Sequence, residues 1–235
     1  MQLFISFEGG EATGKSLQTR LLWEHLTRMG YSCSRVHEPG GTPLGDYLRP
    51  FIKGTVSLSR VAELFLFSAA RAELVSKELK ARLRNETIII ADRYVDSTIA
   101  YQGYGRGLKL SEIKTINNLS TNGILPDLTI LLDMSPEDAL LRRASQLRLA
   151  IGKKESTAPM RLDSEGESRF EDEPLEFHKR VRDGYLKLAR KEPRRWLVVD
   201  ASQSIESVES MIWNEVQNVI ERLTPQTTPQ NRTLI

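Results

Sequence analysis

Apolar positions along the chain follow two alternating rhythms. LFISFE (3–8), SCSRVH (32–37), TIIIAD (87–92), LTILLD (128–133) and WLVVD (196–200) are short apolar runs, rich in β-formers, with the length of strands. TIIIAD is nearly unbroken in its hydrophobicity, as expected of a parallel strand covered on both faces. Between these runs the period changes to that of a helix. Leu17, Leu21, Leu22 and Leu26 recur at helical spacing over 15–29, and Gly30 ends the pattern. Further helices are predicted at about 59–84, 111–122, 136–148, 170–190 and 204–223. Ser135 is a good N-cap, Pro136 suits the first helical position, and Asp138 falls at the capping-box position. EPGGTPLG (38–45) reads as turn.

Strands alternating with helices imply an α/β fold: a doubly wound five-stranded parallel sheet with helices on both faces. Right-handed crossovers gather the C-terminal ends of the strands at one edge, where ligands bind. Three of the five runs end in aspartate (Asp92, Asp133, Asp200), and the first runs into glycines. The expected organisation is one domain over 1–223 with no internal repeat. Two polar stretches interrupt it: 150–168, expected to be a mobile loop within a lid at about 142–170, and 224–235, expected to be a loose tail.

Charge narrows the function classes. The chain carries 33 basic and 31 acidic residues, a net charge of +2, which does not point to nucleic acid or a membrane surface as partner. No run reaches the roughly 18 apolar residues of a membrane span. The opening MQLFISFEGG is too short an apolar run for a signal peptide. The single Cys33 fits a reducing, cytoplasmic compartment and a strand position.

GGEATGKS (9–16) carries the first chemistry. Gly9, Gly10, Glu11, Ala12, Thr13, Gly14, Lys15, Ser16 and Leu17 lie between a strand and a helix, the context in which a Walker-type loop wraps phosphates. Backbone N–H groups and the helix dipole supply positive potential. Lys15 is expected to bridge the terminal phosphates of a nucleoside triphosphate, and the Ser16 hydroxyl to ligate Mg²⁺. The loop alone leaves the reaction open among GTPases, motors and small-molecule kinases. The absence of an Asn-Lys-x-Asp motif argues against a GTPase, and the chain is short for a motor.

EPGGTPLGDYLR (38–49), LFLFSAAR (64–71) and DRYVDSTIAYQG (92–103), in order after the loop, resemble the bacterial thymidylate kinases, P-loop enzymes that phosphorylate dTMP to dTDP with ATP. The resemblance spans about residues 3–222. It implies a nucleotide kinase fold with a lid, ATP and dTMP as substrates, Mg²⁺, and a homodimer. It also implies residue roles. Phe67 and Arg71, four apart on one helix, would stack on thymine and bond its ring oxygen. Arg49 and Arg93 would hold the acceptor monophosphate. Asp92 would hold Mg²⁺ through water or orient the arginine clamp. Ser97, Thr98 and Gln102 would contact the base edge, and Tyr101 would crowd the sugar 2′ position. Glu11 would accept from the deoxyribose 3′-hydroxyl, and Arg142 would flank adenine beside the loop of Asp200, Ala201 and Ser202.

Two departures stand out. His37 occupies a position usually held by arginine, which makes charge there conditional on pH. The lid is also longer than in relatives: about twenty residues separate LLRRASQLR (140–148) from SRFED (168–172). Arg148 is nearest by spacing to the arginine that reaches the transferred phosphoryl, Arg161 lies in the insertion, and Arg169 matches the later arginine. Val61, Leu64, Phe65 and Ser68 form an apolar stripe that could face a second copy or the core.

Overall fold

A computed structural model describes residues 2–54, 56–85, 88–152 and 169–224, with the side chains of 146–152 outside that set. Its centre is a five-stranded all-parallel sheet in the order β2-β3-β1-β4-β5. The strands are β1 (Leu3–Glu8), β2 (Cys33–His37), β3 (Ile88–Asp92), β4 (Leu128–Asp133) and β5 (Trp196–Asp200). In register, Phe7 pairs with Asp92 and His37 with Asp92, so the chemistry-bearing ends of three strands share one edge.

Every residue of β1 is buried because its two faces feed different cores. Leu3, Ile5 and Phe7 pack with Leu22 and Leu26 of α1 (Lys15–Arg28) and Ile212 and Val216 of α9 (Ile205–Leu223). Phe4 faces the other way, toward Leu74, Leu79, Ile89 and Tyr94. A third cluster joins Tyr101 and Phe170 to Phe177, Val181 and Tyr185 of α8 (Leu175–Lys191). The helices therefore cover both faces, as the periodicity predicts.

The structure adds detail that the pattern lacks. EPGGTPLG is not wholly turn: Pro43 opens α2 (Pro43–Lys53), capped by Thr42, whose hydroxyl accepts from the Gly45 N–H at 3.0 Å. Gly45 and Pro50 inside α2 depress its helical signal, and tertiary packing of Ile52 overrides them. The segment predicted as one helix over 59–84 is α3 (Arg60–Leu74), a π turn (Val75–Leu79) and α4 (Lys80–Asn85). A second π turn (Ile99–Gly105) continues α5 (Val95–Thr98) ahead of α6 (Leu110–Thr121). The helix predicted to end at 148 runs on as α7 (Pro136–Gly152), three residues into the polar stretch. At its start Ser135 accepts from the Asp138 N–H at 3.1 Å and donates to the Asp138 carboxylate at 2.6 Å. The helix predicted from 170 begins only at Leu175, after Pro174. The expected loop at 153–168, with Arg161, and the tail from 225 lie outside the described residues. The stripe on α3 divides: Leu64 and Ser68 are buried, while Val61 and Phe65 are about half exposed, at 48% and 55%.

Candidate active site

The phosphate loop joins β1 to α1. Gly9 has φ +142°, and a Cβ there would come within 2.6 Å of the Leu132 carbonyl, so only glycine fits. Ala12 and Gly14 also take positive φ, at +55° and +92°. Among the described residues no side chain caps the N-terminus of α1, whereas Thr42, Ser59, Ser135 and Ser204 cap α2, α3, α7 and α9. A helix N-terminus that follows a glycine loop is a place where an anion can bind. Lys15 is buried, and its Nζ donates to the Gly10 carbonyl at 2.5 Å. The Ser16 hydroxyl donates to Asp92 Oδ2 at 2.7 Å across 76 residues of sequence. A hydroxyl and a carboxylate converging beside a phosphate loop form the hard oxygen donor set that Mg²⁺ takes together with substrate phosphates.

Arg93 ties this loop to β3. Its Nη2 donates to Glu11 Oε1 at 2.7 Å and to the Tyr101 hydroxyl at 3.1 Å, and its Nη1 donates to the Gly9 carbonyl at 3.0 Å. Tyr101 in turn donates to Glu11 at 2.7 Å. Burial disfavours a charged Glu11, but the Arg93 and Lys15 cations and the Tyr101 hydrogen bond outweigh it and hold its pKa at about 2. Arg93 has φ +70°, a strained conformation for a side-chain-bearing residue. Two bonds from β1 fasten it: the Arg93 N–H to the Phe7 carbonyl at 3.0 Å, and the Tyr94 N–H to Glu8 Oε1 at 2.8 Å.

Glu8 is a site residue that sequence reasoning missed. It is fully buried and accepts from the hydroxyls of Ser97 at 2.5 Å and Tyr185 at 2.9 Å. Burial, then the nearby Asp96 carboxylate, push its pKa up to about 7. An acid closing a buried strand just before the loop is the signal that could have found it.

Arg71 sits deeper than the sequence suggests. It is 1% exposed, in a bidentate pair with Glu38 through Nε and Nη2; Nη2 also reaches the Tyr94 carbonyl and the Thr98 hydroxyl, and Nη1 donates to the Asn117 side chain. Most of its donors are therefore committed to the scaffold, and one Nη1 hydrogen remains for a ligand. Thr98 serves this network, and Ser97 joins Glu8, Tyr185 and Arg93. Phe67 is half-buried, with its ring 6.0 Å from Phe170. Phe170 also meets Tyr101 edge-on at 5.5 Å. It completes an aromatic wall that the sequence did not announce.

The remaining arginines have separate positions. Arg49 donates to the Pro39 carbonyl at 2.6 Å. His37 stands beside it, and burial, then the Arg49 cation, lower its pKa, so this position contributes no fixed charge at neutral pH. Arg142 donates to the Ala201 carbonyl at 2.8 Å, bringing α7 to the β5–α9 loop. Asp133 accepts a bidentate contact from Arg182 at 2.7 and 2.8 Å. Arg169, expected near the transferred phosphoryl, is instead engaged by the buried Glu63 at 2.6 Å. Arg148 lies in α7 with its side chain outside the described set.

A phosphate loop thus stands beside a Ser16–Asp92 pair and a cluster of Glu11, Arg93 and Tyr101. The family model described as thymidylate kinase matches residues 7–212. The chain belongs to the thymidylate kinase family. It is 44% identical over 223 residues to the thymidylate kinase of Dehalococcoides mccartyi strain 195, covering 94% of this chain and 99% of that one. It is 41% identical to the thymidylate kinase of Geotalea uraniireducens, covering 90% and 95%. Its fold is similar to the crystal structure of thymidylate kinase from Ehrlichia chaffeensis, with a TM-score of 0.70 and 31% identity, covering 92% of this chain and 98% of that one. Membership in this family makes the chain a phosphotransferase.

Proposed function

We propose that the chain transfers the γ-phosphoryl group of ATP to the 5′-phosphate of dTMP, giving dTDP and ADP. The observation that carries this reading is the contact between the phosphate loop and the acceptor-side cluster through Glu11, Arg93 and Tyr101. One loop thereby serves both substrates. The chain needs no nucleophile of its own, because a dTMP phosphate oxygen attacks in line and ADP leaves. The work of the protein is alignment and charge neutralisation.

Lys15 and the N-terminal N–H groups of α1 take the donor phosphates. Arg93, with Arg49, takes the acceptor phosphate. Glu11 accepts from the 3′-hydroxyl, Tyr101 lies against the sugar, and Phe67 and Gln102 face the base. Mg²⁺ held by Ser16 and Asp92 would neutralise charge on the donor phosphates. Residues 142–170 act as a lid that excludes water and brings Arg148 to the reacting phosphoryl, while Arg169 stays paired with Glu63. The exposed Val61 and Phe65 support a homodimer through α3. No helix among the described residues is long and apolar enough to cross a membrane, which suits a cytoplasmic enzyme.

The test is product formation from MgATP with dTMP, dUMP, dCMP, AMP and thymidine as acceptors. The highest kcat/KM is expected with dTMP. If AMP or thymidine outran it, the assignment would be wrong.

A further inference from the structure

We propose that Glu63 is a positioning residue for base selection. It fixes the carboxamide of Gln102 so that its carbonyl oxygen, not its amino group, is presented to the nucleobase. The site then takes a pyrimidine carrying an N3–H and refuses one that lacks it. This inference rests on the reading of the site as a dTMP site with Gln102 at the base edge.

Glu63, Phe67 and Arg71 are at i, i+4 and i+8 on α3, so one helical stripe carries all three. Glu63 is 1% exposed, and its Oε1 accepts from Gln102 Nε2 at 2.6 Å. The same carboxylate is ion-paired with Arg106 at 3.1 Å and Arg169 at 2.6 Å. Facing two guanidinium groups, the carboxylate offers Gln102 oxygens that accept. The atom of Gln102 that faces it must therefore be the NH₂ group. Ordinarily the two ends of an amide are hard to tell apart, but here the partner decides.

Gln102 has little other freedom. It is 1% exposed, it lies in the π turn Ile99–Gly105, and its backbone carbonyl accepts from the Leu108 N–H at 3.1 Å. Among the described residues its Oε1 takes no hydrogen bond. That oxygen is the free valence of the arrangement, and it is an acceptor.

An acceptor distinguishes pyrimidines at N3. Thymine and uracil carry a proton there and can donate it. Cytosine presents a bare lone pair, so two acceptors would meet in a buried site, each unpaired. If the amide turned over, its NH₂ would suit cytosine. Glu63 prevents that turn, so it governs selection without touching the base. The 5-methyl group of thymine is read elsewhere.

The experiment is the ratio of kcat/KM for dTMP over dCMP in the wild type and in Glu63→Gln, Glu63→Asp, Arg106→Gln and Gln102→Leu. A glutamine at 63 can donate as well as accept and so frees the Gln102 amide. Aspartate keeps the charge for the arginines but draws back from Gln102, which covers the case in which the glutamine variant does not fold. The ratio is expected to fall by about tenfold or more in both, mostly through a higher KM for dTMP. It should hold in Arg106→Gln, which breaks an ion pair of Glu63 without altering its contact with Gln102. An equal fall in Arg106→Gln would mean general loosening and overturn the inference. So would an unchanged ratio in the Glu63 variants while Gln102→Leu lowers it. If Gln102→Leu leaves the ratio unchanged, the placement of Gln102 at the base edge falls and the inference with it. A wild type that does not phosphorylate dTMP would instead overturn the parent reading.

Discussion

At the scale of single residues, two carboxylates three positions apart in the chain, Glu8 and Glu11, are driven in opposite directions. Glu11 faces Arg93, Lys15 and Tyr101 and is held at about 2, so it is ionised at neutral pH. Glu11→Gln should leave ATP affinity unchanged by calorimetry while lowering kcat/KM for dTMP about 10–100-fold, the range of a charge-assisted hydrogen bond. Equal loss of both would remove its acceptor-side role. Glu8 is buried beside Asp96 and raised from 4.5 to about 7. The native state then binds this proton more tightly than the unfolded chain. Its contribution is full below the unfolded value of 4.5 and is lost as pH rises through about 7. Urea unfolding of the wild type and of Glu8→Gln should show the difference in stability turning against the wild type by on the order of 1–3 kcal/mol between about pH 5 and 8. A difference independent of pH would refute the shift. Neither environment is visible from Glu8 or Glu11 alone. Apart from Lys15, their partners lie more than 80 positions away, most of them just after β3, which pairs with β1.

At the scale of elements, the phosphate loop works because its backbone is forced. Gly9 has no room for a Cβ against Leu132, and Gly14 opens α1 from a left-handed conformation without a capping side chain. Gly9→Ala should weaken ATP binding by at least about tenfold, since the backbone strain alone is of order 1–3 kcal/mol, while far-ultraviolet circular dichroism stays close to that of the wild type. Normal ATP binding would show that the close approach is dispensable. Elements also explain what the sequence concealed. Apolar period and caps correctly located the five strands and the start of α7, because burial and capping are local signals. They missed α2, where Gly45 and Pro50 argue against a helix and only the burial of Ile52 favours it. They missed both π turns, because one added residue per turn leaves hydrophobic spacing almost unchanged. The second of these turns carries Tyr101 and Gln102, so an irregularity invisible to pattern sets two of the site side chains.

At the scale of the whole molecule, α3 has two jobs. Its inner face carries Glu63, Phe67 and Arg71 toward the site, and its outer face leaves Val61 and Phe65 exposed. Phe65→Asp should turn a dimer into a monomer in sedimentation velocity with little loss of fold, as surface changes usually fall within about 0.5 kcal/mol. A wild type that sediments as a monomer, or a variant that stays dimeric, would rule this face out. By itself the sequence determined the alternation of strand and helix, and with it the parallel sheet. It also determined the phosphate loop, whose function resides in consecutive backbone groups, and the motif residues that carry the family resemblance. These depend on neighbours in the chain. Only the tertiary structure decided which charges meet: that Arg93 joins Glu11 and Tyr101, that Arg71 is anchored by Glu38, that Arg169 turns to Glu63, and that Glu8 is protonated more readily than an ordinary acid. Electrostatic environment is set by distance and burial, and these are properties of the folded sheet edge rather than of any stretch of chain.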